Sequence, residues 1–136
     1  MSGFESLRPL IVSVEGADEV RVALEWEAEL FVGQAAVAGD GAVDRDCARL
    51  EAGARATLAA LGSLTPSAVV FSLEWAARVA TGDALPAVVA SMPRVEVAGV
   101  PMRYAGAVVD DGADPALLAA RATMDALNRR LGVSGL

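Results

Sequence analysis

Carboxylates supply most of the chemistry open to this sequence, and they fall in two groups. Asp40, Asp44 and Asp46 form one; Asp110, Asp111 and Asp114 form the other. Paired carboxylates act as general acid and base, or hold a hard cation through oxygen ligands. Neither group has EF-hand spacing. Both stand where a strand-like run hands over to a helix-like run. There Asp accepts hydrogen bonds from the first free amides of a helix and is favoured by its dipole, so turn and capping duty is their first role.

Other catalytic constellations are missing. The chain has no His, which removes Ser-His-Asp and Cys-His arrangements and most zinc sites. The sole cysteine, Cys47, stands among Asp44, Asp46 and Glu51, acidic surroundings that do not suit an activated nucleophile. No phosphate-cradling glycine loop with Lys is present, and no G-x-G-x-x-G follows a strand. Trp26 and Trp75 lie near strand ends, the usual place of packing rings. Glu25, Glu27 and Glu29 around Trp26 mark a solvated strand side.

A formal charge of −7 argues against nucleic acid and anionic membranes, which need a basic face. Arg129–Arg130 is too short for one and suits a helix C-terminus. The uncharged stretch 56–73 is broken by Gly62, Ser63, Thr65, Pro66 and Ser67, which a membrane-spanning helix does not tolerate. The N-terminus lacks the basic start and apolar run of a signal peptide. These features predict a cytoplasmic protein without cofactor or metal. Hydrophobic residues make up 54% of 136 positions but aromatics only 4%, so a core must be built from Val, Ala and Leu.

Strands and helices must position the carboxylates, and the chain reads as two similar halves. Residues 54–61, ARATLAAL, recur as ARATMDAL at 120–127. Ile11-Val12-Ser13-Val14-Glu15 is echoed by Val70-Phe71-Ser72-Leu73-Glu74, and Phe31-Val32-Gly33-Gln34-Ala35 by Tyr104-Ala105-Gly106-Ala107. Strands are predicted at 10–14, 20–27, 30–37, 68–75, 87–97 and 102–109, from apolar runs and period-two alternation. Gly99-Val100-Pro101 predicts a hairpin turn, and Pro93 predicts an edge strand or a fresh strand start. Leu50, Ala54, Leu58 and Leu61 line one helix, closed by Gly62. Leu117, Ala120, Met124, Leu127 and Leu131 line the other, begun by Asp114 and Pro115 and closed by Gly132. The expected fold is α+β: a single domain, residues 1–136, of two tandem βββα units at about 8–64 and 67–132. Its antiparallel sheet of about six strands carries both helices on one face.

One feature goes beyond pattern. Gly39-Asp40-Gly41-Ala42-Val43-Asp44 leads into the first helix. Asp110-Asp111-Gly112-Ala113-Asp114 leads into the second, which continues through Ala126-Leu127-Asn128-Arg129. In these loops and their order the chain resembles the C-terminal regulatory, leucine-binding and dimerising domain of α-isopropylmalate and citramalate synthases. Ala42 stands where that family prefers Pro, and the catalytic barrel has no counterpart here.

The resemblance implies a non-catalytic, stand-alone effector domain, dimeric with a second copy. It would bind a branched-chain amino acid, a keto acid or a similar small carboxylate near Gly39, Asp40, Gly41, Ala42, Val43, Asp44, Asp111, Gly112, Ala113 and Asp114. Helix N-termini favour such an anion. Two other readings stand beside it: a dimerisation or scaffold module without a ligand, and a small enzyme using carboxylates. A sensor calls for a concave site with free helix amides, a scaffold for a flat apolar patch.

Overall fold

The computed structural model describes residues 9–38 and 45–134, with side chains as far as residue 128. The first half gives β1 (Leu10–Glu15), β2 (Glu19–Trp26), β3 (Glu29–Ala36) and α1 (Arg45–Leu64). The second gives β4 (Val69–Val79), β5 (Val88–Val97), β6 (Val100–Arg103), β7 (Gly106–Val109) and α2 (Pro115–Ser134). The fold is mixed α+β. The single sheet of about six strands is replaced by two antiparallel sheets. One is ordered β1-β2-β3; the other places β5 between β4 and the successive strands β6 and β7.

Helix burial explains the two sheets. Leu50, Ala52, Gly53, Ala54, Ala56, Thr57, Leu58, Ala60 and Leu61 of α1 are all buried, leaving, beyond its first turn, a narrow exposed stripe at Arg55, Ala59, Gly62 and Ser63. A helix apolar nearly all round needs cover on several sides. α1 takes it from β2 and β3, from α2 and from β4; α2 packs on β5, β7 and β1. The larger core cluster accordingly joins Val20, Val22 and Leu24 of β2 to Val95 of β5 through Ala56, Leu61, Ala120 and Met124. Among the described residues, no helix is long and apolar enough to cross a membrane.

The small residues have a steric purpose. A Cβ on Gly33 would collide with the Ala56 carbonyl and the Ala60 amide, and one on Gly106 with the Ala122 carbonyl and the Ala126 amide. Each strand thus lies directly on its helix backbone. Buried Thr57 and Thr123 each donate to the carbonyl four residues back, Gly53 and Ala119, both at 2.8 Å. Thr123 also meets buried Ser91 at 2.8 Å.

Four local expectations are corrected. The strand expected at 102–109 is two strands, β6 facing Arg94–Val97 and β7 facing Val88–Ser91. Pro93 lies inside the central strand β5, not at an edge. Its carbonyl accepts from Tyr104 N at 3.1 Å, so the side of Pro93 that lacks N–H faces the gap between β6 and β7. On its other side β4 is bulged between Leu73 and Trp75. A mid-sheet proline is accommodated because both partners are irregular there. The hairpin turn is centred on Ala98 and Gly99, with φ of 52° and 82°, rather than on 99–101. Gly62 and Gly132 lie within their helices, which run on to Leu64 and Ser134.

Candidate functional site

The second carboxylate group is committed to holding its own loop. Asp110 accepts from Gly112 N and Asp111 from Ala113 N, each at 3.1 Å. Asp114 accepts from Ala116 N at 3.2 Å, and its carbonyl takes the first helical bond from Leu118 N at 3.0 Å. It is the N-cap of α2. Arg49 of α1 grips the same carboxylate, Nε to Oδ1 at 2.6 Å and Nη2 to Oδ2 at 2.7 Å. Through Nη1 it also donates to the Gly16 carbonyl at 2.6 Å. Arg78 holds Asp110 at 2.7 Å.

These contacts set the protonation states. The Arg49 hydrogen bond holds the Asp114 carboxyl below its ordinary range, opposed by partial burial and aided by the Ala116 amide. Asp110 is lowered mainly by the Gly112 amide, with Arg78 adding to it. Arg49 is raised by its bond to Asp114. Carboxylates held in their charged form are weak bases, suited to structure more than to proton transfer. Of the expected effector-site residues, Asp111, Gly112, Ala113 and Asp114 form this braced turn. Gly39, Asp40, Gly41, Ala42, Val43 and Asp44 lie outside the described residues. Cys47 and Asp46 are exposed in the first turn of α1. Among the described residues, no cluster of three or more His, Cys, Asp or Glu is placed to hold a metal ion.

A different surface stands out on the second sheet. Ser91 meets α2 through Thr123 and Ala76 is in the core, so the helix-facing side of this sheet carries Ala76, Val89, Ser91 and Val108. Directly opposed residues of an antiparallel pair share a face. The register Trp75↔Met92, Ala77↔Ala90, Val79↔Val88, Val88↔Val109 and Ala90↔Ala107 therefore puts all eight of these side chains on the outer face. None carries a charge. Trp75 is 42% exposed and Val109 56%, large apolar groups standing in water.

Further along the same face the character changes. Arg103 Nε meets Glu74 Oε1 at 2.9 Å, and Arg94 approaches Glu96 at 3.7 Å. An apolar field bordered by paired charges has the anatomy of a protein interface. The first sheet differs. Its outer face mixes exposed Leu10, Val12, Leu30 and Val32 with Glu19, Arg21, Glu25 and Gln34.

Sequence reasoning missed the outer face, although a signal was present. Residues 84–92, ALPAVVASM, never alternate with charge, whereas an antiparallel strand with one solvated face should. Comparison with protein-family models, curated proteins and solved structures finds no match.

Proposed function

We propose that the chain is a non-catalytic protein-interaction module that pairs with a second copy of itself through the outer face of the second sheet. The observation carrying this is the uncharged field of Trp75, Ala77, Val79, Val88, Ala90, Met92, Ala107 and Val109 on the outer face, with Trp75, Val79, Ala107 and Val109 exposed and the other four half-buried. β4 has 11 residues, so with its two neighbours the whole outer face, uncharged field and charged border together, spans ~36 Å by ~14 Å, about 500 Å² in projection. Side-chain relief adds to that. The result is of the order of the ~800 Å² each partner contributes to a standard interface.

A second copy suits this face. A two-fold contact needs only self-complementarity, and an uncharged centre meets its own image without repulsion. The border offers both signs in ion pairs, so the net charge of −7 is kept off the contact. Effector binding at the strand-to-helix loops rests on the family resemblance; in the Asp111–Asp114 turn the Gly112, Ala113 and Ala116 amides are already engaged.

The two βββα units are, in this proposal, copies of one ancestral element. Support comes from Gly33 on Ala56 and Ala60 against Gly106 on Ala122 and Ala126, and from Thr57 against Thr123. These matched contacts fall on positions that align in the sequence repeat.

Size-exclusion chromatography with light scattering tests the pairing. The expected result is a dimer at high micromolar concentration, and a monomer with unchanged circular dichroism for Val109→Arg and Ala90→Arg. A wild-type chain that stays monomeric, or variants that remain dimeric, would end the proposal.

A further inference from the structure

A second surface lies on the other side of β4. A groove of about 600 Å³ runs between the free edge of this strand and the exposed stripe of α1, lined by Arg55, Leu58, Ala59, Gly62 and the segment 69–73. Ala98 N donates to the Ala68 carbonyl, which fixes the alternation of hydrogen bonding along β4. Val70 and Ser72 then bond to β5, while Phe71 and Leu73 turn their N–H and C=O groups toward the groove. Among the described residues, no side chain and no backbone group outside the strand pairings takes the Phe71 or Leu73 amide.

Edges of this kind are normally blunted by a charge, a bulge or a covering group. β7 shows one such device: Asp125 of α2 accepts the edge amide of Ala107 at 3.1 Å. On α1 the groove wall is Ala59 and Gly62, which reach nothing. A Cβ on Gly62 would meet only open space. The β4 bulge begins only after Leu73, leaving Val69–Leu73 a flat, uncharged edge.

Among the described residues, Arg55 is the single charged residue lining the groove. Its side chain is 52% exposed and, among the described residues, meets only Glu51, at 3.5 Å, the outer limit of a hydrogen bond.

We infer that this groove takes an extended peptide of a partner protein by strand addition to β4, with small or β-branched side chains and a carboxylate set against Arg55. The free edge supplies main-chain pairing, the apolar walls seat alternate side chains, and the cation fixes the register. A second copy of β4 is the competing occupant. Its segment Val69-Val70-Phe71-Ser72-Leu73 has no carboxylate, and the next residue, Glu74, is already engaged by Arg103 at 2.9 Å.

The test uses an acetylated peptide of alternating valine and threonine with a free C-terminal carboxylate, and the same peptide amidated. Titration followed by amide NMR is expected to shift the Phe71 and Leu73 signals. The amidated form should bind about tenfold more weakly, the scale of one charge-assisted hydrogen bond. Arg55→Gln should erase that difference, and Gly62→Leu should abolish binding of both while circular dichroism stays unchanged. The inference is overturned by silent Phe71 and Leu73 signals at millimolar peptide, by equal affinity for the two forms, or by binding that survives Gly62→Leu. A change in molecular mass caused by Gly62→Leu would assign the groove to a second copy and overturn it equally.

Discussion

Arg49 and Asp114 meet through two parallel hydrogen bonds, at 2.6 and 2.7 Å, although 65 positions separate them in the chain. The fork joins α1 to the start of α2, and the third contact of Arg49, to the Gly16 carbonyl at 2.6 Å, ties in the β1–β2 turn. Asp114 also caps α2, so one carboxylate serves a helix end and an inter-helix tie.

Replacing Asp114 removes both roles. The cap alone is worth about 1 kcal/mol, and the unpaired Arg49, only 21% exposed, adds to the loss. Asp114→Ala is expected to cost about 2 kcal/mol in urea unfolding, and Asp114→Asn, which keeps a capping oxygen, about half of that. An Asp114→Ala chain as stable as wild type would show that the fork contributes nothing.

The same carboxylates set the acid limit. Asp110 and Asp114 have folded pKa values below their ordinary ones, so they contribute stability that is fully present above the unfolded value of about 3.9. As pH falls below about 4, the unfolded chain takes up protons before the folded one does, and stability declines through the folded pKa values. Arg49 is raised from an already high value and stays charged throughout. Unfolding free energy measured from pH 6 to pH 2 should be flat at first and then fall; Asp114→Asn should shallow that fall. An identical acid limb in the variant would assign it to other groups.

Much of the scaffold is legible locally. Val20, Val22 and Leu24 alternate and are the buried face of β2, and Asp114-Pro115 starts α2 as its capping chemistry requires. What escaped depends on distance or on both sides of a strand. Nothing near Arg49 in sequence indicates that Asp114 is its partner. Pro93 reads as an edge signal because the irregularities that accommodate it, the Leu73–Trp75 bulge and the β6–β7 break, lie on other strands. The outer face was missed because each of its strands looks like core when read alone. Only the register shows that Trp75, Met92, Ala90 and Val109 share one outer face.

Close strand-to-helix contact predicts strong sensitivity at Gly33 and Gly106. A methyl at either would press on helix backbone, which cannot move aside like a flexible side chain. Gly106→Ala and Gly33→Ala are each expected to lose about 3 kcal/mol, the upper end for overpacking. Gly62→Ala, on open surface within a helix, should gain up to about 1 kcal/mol by helix propensity. Thermal unfolding of the three variants checks the order; equal effects would mean that the close approach is not rigid.

The buried hydroxyl pair separates hydrogen bonding from packing. Ser91 and Thr123 are both fully buried and 2.8 Å apart. Ser91→Ala leaves the Thr123 hydroxyl its bond to the Ala119 carbonyl but removes its second partner, at about 1 kcal/mol. Thr123→Val strands the Ser91 hydroxyl and should cost about 1–3 kcal/mol, whereas the double variant should cost less than the sum of the two. Strict additivity would mean that the two hydroxyls do not interact.

Trp75 offers a direct view of the proposed self-pairing. The chain has two tryptophans; Trp26 is half-buried, while Trp75 stands 42% exposed on the outer face. In a Trp26→Phe chain, dilution from high micromolar to nanomolar concentration is expected to shift Trp75 emission to the red as its ring returns to water. Because the field around it is uncharged, the midpoint should move little with salt, unlike that of a contact between exposed charges. Val109→Arg should show the red-shifted emission at every concentration. Emission independent of concentration in the Trp26→Phe chain would mean that Trp75 stays in water and that copies meet elsewhere or not at all.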